Sequence, residues 1–234
     1  MQTLLTQLSD QGLVWKGNQS RSADSGKSLH SHSLNSTGFV SLDELLLCGG
    51  WPEKGLIEIL VPDYGAGELS LFLPWLEAQS VTSKRKIAFI SPPFLPNPMR
   101  LLQHGIDPAR LWLLKPKREK DIWWTQQQCL KEGHCDAVFM WHNGQSQDTH
   151  LRKLHYAAQT GDCLGISIRP LSVQQDSTPA PYRLQLRPLE QEQLEITALK
   201  RRGGWSGESA TIQLGKTISL PPLPRSSLRV LDIN

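Results

Sequence analysis

Short, nearly unbroken aliphatic runs punctuate the middle of the chain: Leu56–Val61, Lys86–Ile90, Leu111–Leu114, Ala137–Trp141 and Gly165–Arg169. Runs this short and this apolar predict strands buried on both faces, as in a parallel sheet. Between them, Glu68–Gln79, Met99–His104, Asp121–Lys131 and Thr149–Thr160 space their apolar residues as helices do. Such alternation requires crossover connections, so the expected fold class is α/β, a doubly wound, mainly parallel sheet with helices on both faces. Beyond it the period shortens. Tyr182–Arg187 and Glu192–Leu199 alternate around Pro188-Leu189-Glu190-Gln191, which predicts a C-terminal antiparallel hairpin closed by Lys200–Gly204.

The ends read differently. Residues 1–15 place Leu4, Leu5, Leu8 and Leu13 at roughly helical spacing, an amphipathic helix that docks either on its own domain or on a partner. Residues 16–37 are polar and Gly-containing, too poor in apolar side chains to offset the entropy of ordering, and are expected to be a disordered linker. Ser25-Gly26-Lys27-Ser28 within it imitates a phosphate loop, but Arg21 stands where the first glycine belongs and no strand precedes it. The folded domain is expected over 38–204, opening with a Ser41/Glu44 capping box on a short helix that stops at Gly49-Gly50, with Pro74 inside or near the start of the next helix. Residues 205–234 read as a tail, and Ser172–Pro181 and Pro221–Ser227 as exposed or disordered connections.

The chain is organised around Gly49–Ser70, which reads as turn, buried strand, Gly-containing loop and helix start. That is the layout of a phosphate-binding loop, yet its chemistry is missing. A working loop needs G-x-x-x-x-G-K-[ST], with backbone amides as cradle, a lysine on the outer phosphates and a hydroxyl on magnesium. Here Val61 holds the first glycine's place, Gly65 and Gly67 remain, Glu68 replaces the lysine, and Leu69, ahead of Ser70, replaces the hydroxyl residue. Two unit charges about 4 Å apart at an effective dielectric near 20 interact by roughly 4 kcal/mol. Exchanging attraction for repulsion therefore weakens ATP about a thousandfold or more. The alternative reading is that Gly65 and Gly67 still form a backbone nest for some anion; the plain one is a tight strand-to-helix turn.

The order of these elements resembles the RecA and Rad51-like ATPase core. The residues that carry the likeness are Ser36-Thr37-Gly38, Leu42-Asp43, Leu45-Leu46, Gly49-Gly50, Pro52, Gly55, Glu58-Ile59, Ala88-Phe89-Ile90 and Gly105-Ile106-Asp107. More closely, the sequence resembles the ImuA family, RecA-like accessory proteins of bacterial translesion mutagenesis, and shares its middle with the SulA cell-division inhibitors. The shared segments are Ile87–Pro93, Ala137–Trp141 and Leu164–Pro170; the Lys200–Gly204 tail exceeds a short SulA. In the RecA pattern a water-activating glutamate follows the Ala-Phe-Ile strand and an aspartate ends the Walker B strand. Those places are Pro93 and Trp141 here, and Asp136 lies at the wrong end of its strand.

The resemblance thus implies a pseudo-ATPase with no catalytic residue and no cofactor. It also implies a scaffold in the SOS DNA-damage response that contacts an ImuB-like Y-family polymerase homologue, an error-prone replicative polymerase and RecA itself. The alternative is a SulA-type inhibitor whose partner is FtsZ.

Composition adds little against this. In 234 residues the formal charge is only +3, which does not declare a nucleic-acid binder. Lys115, Lys117, Arg118 and Lys120 read as a solvated loop, with DNA contact as the sharper alternative. Cys48, Cys129, Cys135 and Cys163 show no zinc spacing, so no metal site is expected; reduced thiols, and the absence of a membrane span or secretory signal, fit a cytoplasmic protein. The histidines, including His142, His150 and His155, lack a convincing nucleophile or ligand spacing and suit surface or packing roles. Eight tryptophans are many for this chain. Trp51 and Trp205, beside turns, are candidate interface anchors, as are Trp123 and Trp124, whose rings diverge by about 100° on one helix. Lys200, Arg201 and Arg202 are either part of the same interface or a solvated turn.

Overall fold

The computed structural model describes residues 35–142 and 148–215, and the backbone of Val230–Leu231. The expected helix over 1–15, most of the linker over 16–37 and the Pro221–Ser227 connection lie outside the described residues. In chain order the main elements are α1 (Val40–Leu46), β1 (Gly55–Val61), α2 (Leu73–Thr82), β2 (Lys86–Ile90), α3 (Pro98–Gln103), β3 (Leu111–Leu114), α4 (Glu119–Lys131), β4 (Cys135–Trp141), α5 (Asp148–Thr160), β5 (Leu164–Pro170), β6 (Tyr182–Pro188), β7 (Gln193–Lys200), β8 (Ser209–Gln213) and β9 (Val230–Leu231). They build one nine-stranded sheet in the order β8-β7-β6-β1-β5-β4-β2-β3-β9. Pairing is parallel from β6 through β9, and β6-β7-β8 form an antiparallel flank.

Both sheet faces are covered, which is why the central strands are apolar at nearly every position, with Glu58, Ser167 and Arg169 the buried exceptions in β1 and β5. One face, with Ile57, Ile59, Phe89, Phe139 and Ile166, packs against α1 and the segment through α2. The other, with Leu56, Ala88, Ile90, Val138 and Met140, packs against α4 and α5 through Leu130, Leu151, Leu154 and Ala158. An aromatic stack runs through the first layer: Trp51 lies on Phe72 at 4.4 Å, Phe72 meets Phe139 edge-on at 5.4 Å, and Phe139 stacks on Phe89 at 5.2 Å. Trp51 is thus a buried core residue rather than the exposed anchor its place beside a turn suggested.

Local signals were partly misread. No side chain caps α1 at Phe39; Ser41 instead donates to the Thr211 carbonyl. The entry is held by Asp43, which accepts from the Ser36 hydroxyl at 2.6 Å and the Thr37 amide at 2.7 Å. The helix expected from Glu68 begins later, as a 3-10 turn over Ser70–Phe72 followed by α2, with Pro74 in its first turn, where a missing amide costs nothing. The antiparallel part has a third strand, β8, so the region taken as tail from 205 carries regular structure to Gln213. Ser172–Pro181 is only partly exposed: Val173 and Ala180 are buried.

Candidate functional site

The strand-to-helix loop after β1 sits at the carboxyl ends of the parallel strands, where open α/β sheets place ligands. Gly65 and Gly67 both take positive φ, at 92° and 100°, which lets the loop fold tightly. Its turn brings Glu68 back over the amide of Gly65, which donates to both carboxylate oxygens at 2.9 and 3.1 Å. The Trp141 indole N–H donates to the same carboxylate at 3.4 Å, and Glu68 is only 4% exposed. Glu68, after β1, thus bridges the loop amide of Gly65 and the indole of Trp141 at the end of β4. The Gly65 amide is thereby taken by a carboxylate of this chain.

Pro93, Phe94, Trp141, Gly65 and Gly67 wall a cleft of about 200 Å³ beside this carboxylate. Ser70, half-buried, lines it too. Phe94 and Leu95 stand exposed on the rim, and Asn97 caps α3 by accepting from the amides of Met99 and Arg100. The loop floor is fixed from below: Tyr64 donates its hydroxyl to the His142 carbonyl at 2.8 Å. Burial, helped by the Glu68 charge, raises the Tyr64 phenol's pKa.

These residues do not fit ATP with magnesium. Glu68 adds negative charge at the cradle, Leu69 offers no hydroxyl, and Pro93 and Trp141 supply neither base nor metal ligand. Asp136 is likewise engaged elsewhere, at the start of β4, paired with Arg110 at 2.8 Å and near Arg85 at 3.7 Å. Among the described residues no group of three or more metal-ligating side chains gathers.

Beneath the loop, on the α5 face of the sheet, lies a second polar cluster that sequence reasoning missed. Glu58 of β1, with no exposed surface, accepts from Arg169 of β5 at 2.5 Å and Arg183 of β6 at 2.9 Å. Burial pushes its carboxyl pKa up, but bonds from Thr178, Arg169 and Arg183 outweigh this and hold it below the usual range. Arg183 also donates to the carbonyls of Gln174 and Asp176, which ties the Ser172–Pro181 connection to the sheet. His142 is buried alongside; desolvation, then the Arg169 charge, lowers its pKa to about 4, so it stays neutral at physiological pH. Its ring stacks obliquely on Trp123, which also packs on His150 at 4.4 Å. The available signal was Glu58 itself: a carboxylate inside an apolar strand requires buried cations, and Arg169 and Arg183 stand in the neighbouring strands.

The remaining candidates scatter. Trp124 is 60% and Trp205 86% exposed, while Trp123 is half-buried. The basic run splits. Arg201 is buried, donating to the carbonyls of Leu45 at 2.5 Å and Trp205 at 3.1 Å and pairing with Glu208, so it serves architecture rather than an open interface. Lys200 donates to the Thr178 carbonyl, and Arg202 is exposed. His155, expected on the surface or in packing, accepts the Leu56 amide at 3.0 Å. No helix among the described residues is long and apolar enough to cross a membrane.

Among solved structures, a RadB recombinase superposes with a TM-score of 0.60 at 19% identity, covering 77% of this chain and 96% of its own. The fold is RecA-like. SulA from Pseudomonas aeruginosa aligns at 26% identity over 49% of this chain and 97% of its own, but its TM-score of 0.40 bears on neither fold nor function. No family profile matches the sequence. No curated protein matches it either.

Proposed function

We propose that the chain is a non-catalytic RecA-like scaffold that acts by binding other proteins, not by turning over a nucleotide. The observation that carries this reading is the Glu68 carboxylate bonded to the Gly65 amide and the Trp141 indole. An internal anion with neutral N–H partners takes the cradle's donors and repels an incoming phosphate through the same charge. Titration calorimetry with ATP and magnesium tests it: the unaltered protein gives no binding heat and no hydrolysis. Glu68→Lys removes the repulsion and supplies the cation, so it gains affinity by about a thousandfold. It still fails to hydrolyse, because Pro93 and Trp141 are unchanged. ATP turnover by the unaltered chain would sink the reading.

The motif resemblance extends the proposal to its setting, error-prone translesion synthesis in the SOS response. There the scaffold joins an ImuB-like polymerase homologue, an error-prone replicative polymerase and RecA. A purified ImuB-like protein from the same organism is retained by the immobilised chain; failure of retention removes that setting and leaves the non-catalytic scaffold standing. Overexpression that produces filamentous cells would instead favour a division inhibitor acting on FtsZ.

A further inference from the structure

Away from the degenerate loop, α4 and α5 run side by side on one face of the sheet. Their alignment is fixed near the start by Trp123 on His150 and at the far end by Gly161, whose α-carbon side abuts the carbonyls of Leu130 and Lys131. The groove between them is about 620 Å³, three times the cleft at the loop. Arg152, Tyr156 and Thr160 follow one another at a spacing of one turn along α5, and Gln127 and Lys131 do so along α4. Lys153 adds a third cation beside Arg152. Buried Ala157 forms the floor, and the Tyr156 ring, 72% exposed, stands over it. Trp124 continues the same outer stripe of α4 two turns before Lys131.

The charge is uncompensated. Lys131, Arg152 and Lys153 have no ion-pair or hydrogen-bond partner among the described residues. Some exposed cations elsewhere do find carboxylates, Lys54 with Asp162, Arg118 with Asp121 and Arg187 with Glu195, whereas here three unpaired ones line one groove. Cationic rim and apolar floor together specify a ligand that presents carboxylates and an apolar side chain at once. The apolar floor favours a peptide over a nucleic-acid strand: beyond Trp124 the start of α4 mixes Glu119 and Asp121 with Arg118 and Lys120, so it forms no continuous phosphate track.

We propose that this groove docks an acidic peptide segment of a partner protein, with its carboxylates on Lys131, Arg152 and Lys153 and an apolar side chain between Tyr156 and Ala157. The site goes beyond the scaffold reading by giving it a surface, and it stands whether or not the loop binds nucleotide.

The test uses the full chain and a short fluorescein-labelled peptide of Asp and Glu flanking a central Leu-Phe pair, followed by anisotropy. The peptide binds, and Arg152→Glu with Lys153→Glu weakens it by about tenfold or more. Replacing Leu-Phe by Ser-Ser in the peptide weakens binding to the unaltered protein by a similar factor, about tenfold, since an apolar side chain is no longer buried. This second arm needs no protein variant and so survives any folding defect. No binding, equal binding of the Ser-Ser peptide, or equally tight binding of oligothymidylate overturns the proposal; the last two outcomes describe a generic polyanion surface.

Discussion

Glu58 and Glu68 flank the same loop, are both buried, and do opposite things. Glu58 meets two guanidinium groups, and its position in the middle of β1 welds β1, β5 and β6 together. Glu68 meets only an amide and an indole, neutral donors at the edge of the cleft walled by Pro93 and Phe94. A buried carboxylate with cationic partners belongs to the architecture, because removing it strands the cations. On the proposed function, a buried carboxylate with only neutral N–H partners stands in for an external anion, so its removal costs the fold less than the loss of Glu58 does.

The sharpest way to break this comparison is Glu58→Gln, which leaves buried Arg183 without a counter-charge and Arg169 with only Asp176 at 3.6 Å. It costs about 3–5 kcal/mol in urea unfolding; a loss no larger than that of Glu68→Gln would abolish the distinction. Trp51→Ala removes a ring stacked in the core and costs a similar 3–5 kcal/mol, read as a fall in thermal midpoint.

Acidification probes the same cluster with a definite sign. His142 keeps a neutral ring down to about pH 4 in the folded state, whereas the unfolded ring protonates near 6.5. Between those values the unfolded state binds the extra proton, so stability falls as pH drops through the window, by about 3 kcal/mol. Further acidification protonates Glu58, whose depressed pKa means its contribution is present at neutral pH and lost below the ordinary carboxylate range. His142→Gln flattens the first part of the profile and leaves the second; an unchanged slope would show that the ring is not buried neutral.

Smaller effects fall on the loop and surface. Glu68→Gln keeps the geometry but weakens the bonds to Gly65 and Trp141, costing about 1 kcal/mol by denaturant titration. Trp205→Ala, at the most exposed of the large apolar residues described, changes stability by less than about 0.5 kcal/mol. A large loss there would mean that Trp205 packs in a way its exposure does not suggest.

Much of the fold was legible because its signals are local. The runs Leu56–Val61 and Ala137–Trp141 read as central strands since a strand covered on both faces has no polar side to show. β8 was missed because Ser209–Gln213 buries one residue well, Ile212, and its pairing to β7 is a long-range event. Which residues line the loop, Gly65, Gly67 and Glu68, was visible in the sequence; that they meet Pro93 and Trp141 at one cleft was not.

The sequence by itself determined the alternation of strands and helices and the buried character of the sheet, because periodicity and residue type act over short distances. Only the tertiary structure decided that Glu68 turns back onto Gly65 and reaches Trp141, that Trp51 is core and Arg201 a brace, and that Arg169 and Arg183 converge on Glu58. Those outcomes depend on strands adjacent in space but far apart in sequence, and on the cost of leaving any buried charge or donor without a partner.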